Sequence, residues 1–215
     1  MRLLDESAPW LQNLSLAEGG IVAGQDGRFG LGAVLVVEHQ RSRRLVFVKK
    51  SYRPGFEGND QFAFPGGMVR ANGQATSLTR TIWGSLAARV RAEVSLDLQA
   101  HDIIAPLEGQ PPVVAAYTAK GRRRHTVLLP FVLSVSQLFL PASQDPTVYA
   151  AQWQEPMSRW ADITPTNRII AAYYVWPRLS EVERARARPS VEEALQQATA
   201  WAREIELPAP VPPWP

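Results

Sequence analysis

The stretch from Phe64 to Leu98 reads "FPGGMVRANGQATSLTRTIWGSLAARVRAEVSLDL", and it decides how the rest of the chain is interpreted. It opens with two glycines after a proline, which is typical of a tight turn. An apolar residue then recurs at every fourth position, which predicts a helix with one buried face. The residues of this stripe are Leu78, Ile82, Leu86, Val90 and Val94. Between positions 68 and 94, Glu93 is the one acid against four arginines.

The segments around this stretch have the composition of β-strands. Residues 31–39 and 44–50 flank a polar turn at 40–43 and predict a hairpin. Residues 61–67 predict a short strand, which ends at Pro65 and the two glycines. Further strands are predicted at residues 102–109, 112–120, 125–135 and 147–154.

Helices are predicted for the last quarter of the chain. They cover residues 156–163, 165–179 and 190–206. Ser190 with Glu193 three residues later predicts a capping box at the start of the last helix. This order of elements indicates an α/β or α+β fold. We divide the chain into an N-terminal extension (1–30), a central domain (31–164), and a C-terminal helical extension with a proline-rich tail (165–215).

Composition excludes several classes of function. The chain has 215 residues, 46% of them hydrophobic, and no cysteine, so disulfides, thiolate metal sites and cysteine nucleophiles are excluded. A net charge of +3 suits an anionic ligand but is too weak to predict a nucleic-acid partner. No apolar run approaches the length of a membrane span. We therefore expect a cytoplasmic protein without a membrane partner.

The turn at Phe64–Gly67 and the ending "AEVSLDL" resemble the Nudix hydrolase family, whose box is G-x5-E-x7-R-E-U-x-E-E-x-G-U with U a bulky apolar residue. The approach to the turn, with Arg53 and Pro54, is similar to that of the ADP-ribose pyrophosphatase branch. The resemblance covers roughly residues 31–135. It implies a Nudix-type α/β/α sandwich with a mixed central β-sheet, to which this chain adds C-terminal helices. It also implies that helix glutamates chelate Mg²⁺ or Mn²⁺ and that the substrate is a nucleoside diphosphate linked to another group.

The glutamates of the box are largely missing in either alignment. Counted from Gly67, its E, R, E, E and E positions fall on Gly73, Thr81, Ile82, Ser85 and Leu86. Anchored on the helix end, the box keeps Glu93 as its last glutamate and Leu96 as its last apolar residue. Ala92 and Arg89 then replace two glutamates, and the helix needs seven additional residues, close to two helical turns. We prefer this second alignment, which leaves a degenerate box.

A divalent cation is disfavoured at such a helix, although Mg²⁺ needs only one or two carboxylates besides substrate phosphates. Arg89 precedes Glu93 by one turn, so the spacing predicts an i,i+4 ion pair between them. Neighbouring arginines also repel a dication. No cofactor is therefore assigned, and Mg²⁺ or Mn²⁺ is expected only if the protein is active. Its ligands would then be Glu93, Glu57 and Asp60, with Glu108, Asp145 and Glu155 as more distant acids.

The residues that the resemblance implies for ligand binding are Arg53, Arg70, Gly66 and Gly67. The two arginines would face the cleft in which a diphosphate lies, since a guanidinium donates two parallel hydrogen bonds to phosphate. Lys49 and Lys50 add positive charge at the end of the predicted hairpin. The small-molecule partner is accordingly expected to be a nucleotide-like anion, and the family resemblance adds homodimerisation as an expectation.

Three hypotheses of function follow. The preferred one is a pseudoenzyme that binds a nucleotide or a nucleoside-diphosphate-linked ligand with weak or absent hydrolysis. The second is an active, metal-dependent pyrophosphohydrolase, with Glu93 as catalytic residue and acids from outside the box. The third is a non-catalytic scaffold or interaction protein. Whether the chain is an enzyme is left open by the sequence.

Overall fold

The computed structural model describes residues 14–17, 20–24, 27–51, 59–71, 77–99, 105–106, 112–119 and 121–214. Within them, ten strands form one mixed sheet. The strands are β1 (Leu14–Leu16), β2 (Val22–Gly24), β3 (Phe29–His39), β4 (Leu45–Lys50), β5 (Phe62–Ala63), β6 (Gly66–Met68), β7 (Ala105–Pro106), β8 (Val113–Ala119), β9 (Arg122–Val135) and β10 (Val148–Gln154). The helices are α1 (Leu78–Val94), α2 (Pro165–Val175) and α3 (Glu181–Glu204), with 3-10 segments at Pro156–Asp162 and Trp176–Arg178.

Strand β3 lies at the centre of the sheet. It runs parallel to β9 over eleven paired positions, from Phe29 with His125 to His39 with Val135. Its other neighbours, β2, β4 and β6, are antiparallel to it. The predicted hairpin is confirmed as β3 and β4, and the later strands are confirmed as β8, β9 and β10. Of the strand predicted at 102–109, only β7 lies within the described residues.

Alternation along β3 separates two hydrophobic cores. Leu31 and Leu35 pack on the side of α1, whereas Val34 and Val36 pack on the side of α2 and α3. Successive side chains of a strand point to opposite faces, so one strand supplies both cores. The predicted three-layer sandwich with a mixed central sheet is therefore confirmed.

The apolar stripe of α1 is buried as the sequence predicts. Ile82, Leu86, Val90 and Val94 are at most 2% exposed. The helix begins after Ser77, whose side chain accepts a hydrogen bond from the Arg80 N–H. None of the described helices is long and apolar enough to span a membrane.

The terminal segments share the sheet and the cores with the central part of the chain. Strands β1 and β2 extend the sheet beyond β3. At the other terminus, Trp201 and Ala202 of α3 reach the core on the α1 side. The division at residues 30 and 164 stays a prediction.

The last helix begins earlier than the sequence indicates, and the predicted capping box at Ser190 is wrong. Helix α3 begins after Ser180, whose Oγ accepts from the Glu183 N–H at 3.3 Å, while a Glu183 carboxylate oxygen accepts from the Ser180 N–H at 2.8 Å. Pro189 lies inside the helix. Ser190 instead accepts a hydrogen bond from Trp160 Nε1 at 3.0 Å.

The proline-rich tail packs on the C-terminal helices. The Tyr173 hydroxyl donates to the carbonyl of Val211 at 2.8 Å, and the rings of Trp176 and Trp214 lie 4.9 Å apart. The Arg188 guanidinium lies 4.8 Å from the centre of the Trp214 ring. The tail thus packs against the helical layer through Val211 and Trp214.

The capping box at Ser180 is testable by substitution. We expect Ser180→Ala to lower the free energy of unfolding by about 1 kcal/mol, because the Glu183 N–H loses its acceptor. Ser180→Thr keeps the acceptor and the hydroxyl that donates to the Glu183 carboxylate at 2.7 Å, and should stay within a few tenths of a kcal/mol of the wild type. Urea denaturation measures both variants. Equal losses in the two variants would contradict the assignment.

Candidate functional site

The segment at Phe64–Gly67 is held between the central strand and helix α2. The Phe64 N–H donates to the side-chain oxygen of the buried Asn167 at 2.9 Å. The Leu35 N–H donates to the Pro65 carbonyl at 2.9 Å. Gly66 and Gly67 then pair with Val34 and Ala33 of β3. The segment lies against the middle of the sheet, beside the last turns of α1.

Gly66 occupies a position that only glycine fits. Its φ of +146° lies where other residues are strained, and a Cβ atom built on it would lie 2.2 Å from the carbonyl oxygen of Ala33. A Cβ on Gly67 would meet the flexible Arg89 side chain at 3.2 Å. Both backbone groups of Gly66 are also engaged: its N–H donates to Glu93 Oε2 at 2.9 Å, and its carbonyl accepts from Lys50 Nζ at 3.1 Å. The described contacts therefore give Gly66 a structural role, and its contact with a ligand stays a prediction.

Glu93, the one acid between positions 68 and 94, is completely buried in the last turn of α1. Its Oε2 accepts the Gly66 N–H, and its Oε1 lies 2.8 Å from Lys50 Nζ. The contact with Lys50 is a charge contact that lacks the alignment of a hydrogen bond. An unpaired carboxylate at such depth costs several kcal/mol, and Lys50 is the cationic partner that the buried Glu93 side chain has.

The ion pair predicted between Arg89 and Glu93 is wrong. Arg89 Nη1 instead lies 3.0 Å from Asp145 Oδ2, in the loop before β10. Glu93 points into the sheet, where Lys50 at the end of β4 reaches it, while the longer Arg89 extends across Gly67 toward the loop. Spacing along the helix placed the two residues on one face but did not fix their partners.

Asp145 is oriented by its own loop. Its Oδ1 accepts hydrogen bonds from the Thr147 N–H at 2.8 Å and the Thr147 hydroxyl at 2.7 Å. Burial alone would raise the pKa of this carboxyl, but the Thr147 hydrogen bonds and the charges of Arg89 and Lys50 together hold the pKa below its ordinary value. Asp145 is therefore ionised at neutral pH and fixes the Arg89 guanidinium.

The same loop fixes the end of α1. The N–H groups of Gln144 and Asp145 donate to the Ala92 carbonyl at 2.7 and 3.0 Å. Ser95, in the left-handed conformation, ends the helix and donates its hydroxyl to the Ala142 carbonyl at 2.7 Å. These bonds satisfy carbonyls that a helix end leaves without partners. They also hold Glu93 in register with Gly66.

The other candidate residues have contacts of their own or lie outside the described residues. Arg70 is exposed, and its backbone N–H and carbonyl both bond the Ser85 hydroxyl at 2.9 Å. Asp60 accepts a hydrogen bond from the Tyr149 hydroxyl at 2.7 Å, which raises the pKa of Tyr149. Arg53, Glu57 and Glu108 lie outside the described residues. Glu155 caps the following 3-10 segment through the Met157 and Ser158 N–H groups.

The described residues around Glu93 do not fit a divalent cation. Two cations (Lys50 and Arg89) and two anions (Glu93 and Asp145) already form a neutral cluster. Over the part of the chain that the structure describes, no group of three or more histidine, cysteine, aspartate or glutamate residues could hold a metal. A hard cation needs several oxygen ligands, and here the carboxylates already have cationic partners.

The contact of Lys50 with Glu93 is what the sequence interpretation missed at this site, although alternation along β4 contains the signal. Val46 and Val48 pack on the α1 side, and Leu45 and Phe47 on the other. With a period of two, Lys50 faces α1 and Lys49 faces away. Lys49 indeed lies over the Phe62 ring, 4.7 Å from its centre.

Comparison with known proteins shows the fold. The sequence matches no protein-family model and no curated protein. The structure is similar to the dihydroneopterin triphosphate pyrophosphohydrolase of E. coli, with a TM-score of 0.51, 16% identity, and coverage of 68% of this chain and 95% of that one. It is also similar to a Nudix hydrolase from Alicyclobacillus acidocaldarius, with a TM-score of 0.51, 13% identity, and coverage of 67% and 90%. The chain therefore has the Nudix fold, as the resemblance predicted.

The two glycines of the turn provide a matched pair of variants. We expect Gly66→Ala to destabilise by about 3 kcal/mol or more, since it adds backbone strain and a clash with an unyielding carbonyl. Gly67→Ala meets only a side chain that can move, and should cost less than about 1.5 kcal/mol. Urea denaturation measures the difference. Similar costs for both would contradict the described path of the turn.

The Arg89–Asp145 pair predicts a pH dependence. We expect Asp145→Asn to lower the free energy of unfolding by about 1–2 kcal/mol at neutral pH. Because the folded pKa is below the ordinary 3.8, this stabilisation is complete above 3.8 and is lost as the pH falls through the folded value. In urea denaturation the variant and the wild type should therefore approach each other as the pH falls below 3.8, and converge once it is below the folded pKa. A difference that persists in acid would show that the ionised carboxylate is not its source.

Proposed function

We propose that this protein binds a nucleotide or nucleoside-diphosphate-linked anion and that metal-dependent hydrolysis is weak or absent. The observation that carries the proposal is the environment of Glu93. The carboxylate is fully buried, one oxygen accepts the Gly66 N–H, and the other lies against Lys50. A carboxylate so engaged is poorly placed to bind a metal and to activate water.

An anionic ligand is supported by the two cations next to the turn. The side chains of Lys50 and Arg89 are 20% and 39% exposed, respectively, so both are partly accessible. Arg89 also passes beside Gly67. A partly desolvated arginine binds phosphate well because it is weakly hydrated and its donors form a planar fork. Arg53, Arg70 and Gly67 remain proposed ligand contacts.

The enzymatic hypothesis needs a second carboxylate beside Glu93. Asp60 is engaged by Tyr149, and Asp145 by Arg89, so neither supports that hypothesis. Glu57 stays a proposed ligand for Mg²⁺ or Mn²⁺ in that case. The scaffold hypothesis, homodimerisation and a cytoplasmic location likewise stay proposals.

A nucleotide panel tests the proposal. ADP-ribose, NADH, dinucleoside polyphosphates and nucleoside triphosphates are each assayed by thermal shift and for hydrolysis products, with and without Mg²⁺ or Mn²⁺. We expect at least one compound to raise Tm without metal and none to be hydrolysed. Metal-dependent turnover that Glu93→Gln abolishes would support the enzyme instead. If no compound changes Tm, the hypothesis of a non-catalytic scaffold protein is the one that remains.

Two arginines on α1 supply the matched control for ligand binding. Arg89→Gln should weaken the binding of the responding nucleotide about tenfold, the worth of one charge-assisted hydrogen bond. Arg91→Gln is the control, because Arg91 is 70% exposed and paired with Asp97. Calorimetric titration measures both variants. Equal affinities would place the ligand away from Arg89.

A further inference from the structure

The ammonium group of Lys50 lies among oxygen atoms of the kind that bind hard cations. Nζ is 2.8 Å from a carboxylate oxygen of Glu93 and 3.1 Å from the carbonyl oxygen of Gly66. Carboxylates and backbone carbonyls are the protein ligands typical of Mg²⁺ and related ions. The lysine thus holds a positive charge between two such ligands.

We infer that Lys50 is a built-in cation that replaces a divalent metal at Glu93. The inference rests on the proposed function, since it concerns the same site and explains why ligand binding there needs no metal. A tethered ammonium cannot dissociate, so its charge is present at any metal concentration. An ammonium carries one positive charge, whereas a dication carries two. With the single charge of Lys50, the cluster formed with Glu93, Arg89 and Asp145 has no net formal charge.

The remaining donor capacity of Lys50 suits a phosphate oxygen. An ammonium has three N–H donors: one donates to the Gly66 carbonyl, and the contact with Glu93 is a charge contact without hydrogen-bond alignment. The side chain keeps one-fifth of its surface exposed, so an anion can approach it. Lys50 would then contact the protein carboxylate and the ligand anion together, as a bridging metal does in other sites.

Removing the ammonium should create a place for a metal. Lys50→Ala leaves Glu93 buried without a counterion and leaves the Gly66 carbonyl without its donor. A divalent cation that enters this space meets both oxygens and restores the lost charge. Lys50→Met is the matched control, because it removes the charge but fills the space with a side chain of similar length.

The experiment measures the Tm of the full chain with and without Mn²⁺, and Mn²⁺ binding by electron paramagnetic resonance. At a Mn²⁺ concentration about tenfold above Kd, we expect Lys50→Ala to gain about 3–6 °C. The wild type, Lys50→Met and the double variant Lys50→Ala/Glu93→Gln should gain nothing. If Lys50→Ala does not fold without metal, refolding that requires Mn²⁺ is the positive result.

Several outcomes would overturn the inference. The first is that Mn²⁺ neither raises the Tm of Lys50→Ala nor allows an unfolded Lys50→Ala to refold. The second is that Mn²⁺ raises the Tm of Lys50→Met by the same amount. The third is that the wild type binds Mn²⁺ and that Glu93→Gln abolishes this binding. The test contains no nucleotide, so it is separate from the panel above. If no nucleotide of the panel raises Tm but Mn²⁺ stabilises Lys50→Ala, the proposed ligand is rejected and the inference about Lys50 stands. If a nucleotide raises Tm but Mn²⁺ does not stabilise Lys50→Ala, the proposed ligand stands and the inference about Lys50 is rejected.

Discussion

A buried carboxylate with two partners joins the three parts of the site. Glu93 on α1 accepts a hydrogen bond from Gly66 on β6 and lies against Lys50 on β4. Each partner comes from a different part of the chain, so the helix, the turn and the hairpin are held in one arrangement. Removing either partner would leave charge in a place that water does not reach, which is more costly than losing an exposed ion pair.

Charge balance explains how a Nudix fold can persist without the acids of its box. In the family that the sequence resembles, clustered glutamates need a metal to offset their repulsion. Here Arg89, which our preferred alignment places at one glutamate position, pairs with Asp145, while Lys50 offsets Glu93. The cluster is neutral without any added ion. The scaffold is retained because its packing comes from the apolar stripe of α1 and from both faces of β3, which do not depend on the metal ligands.

Periodicity predicted most of the fold, and its limits are visible at particular residues. The apolar stripe from Ile82 to Val94 predicted helix α1, and the β-rich run at residues 31–39 predicted strand β3, whose alternation gives a core on each face. Both predictions hold because buried side chains recur with the period of a helix or of a strand. The start of α3 was misplaced because Ser190 with Glu193 has the same spacing as the true capping box, which is Ser180 with Glu183. Spacing alone could not predict the contact on which the proposed built-in cation rests, since Lys50 and Glu93 are distant in sequence. Helical spacing predicts a neighbour on the same helix, Arg89, as the partner of Glu93. In the folded structure Glu93 instead contacts Lys50, and Arg89 contacts Asp145.

The long parallel pairing of β3 with β9 sets an order of assembly for the molecule. Phe29 lies beside His125 and His39 beside Val135, so the centre of the sheet joins segments that are far apart along the chain. Contacts of this kind are entropically expensive to close and slow the folding of a domain. The β3–β4 hairpin and α1 are local and can form first. The nascent chain therefore exposes the apolar edge of β3 until β9 has been synthesised, and during that interval the edge is open to pairing with other chains.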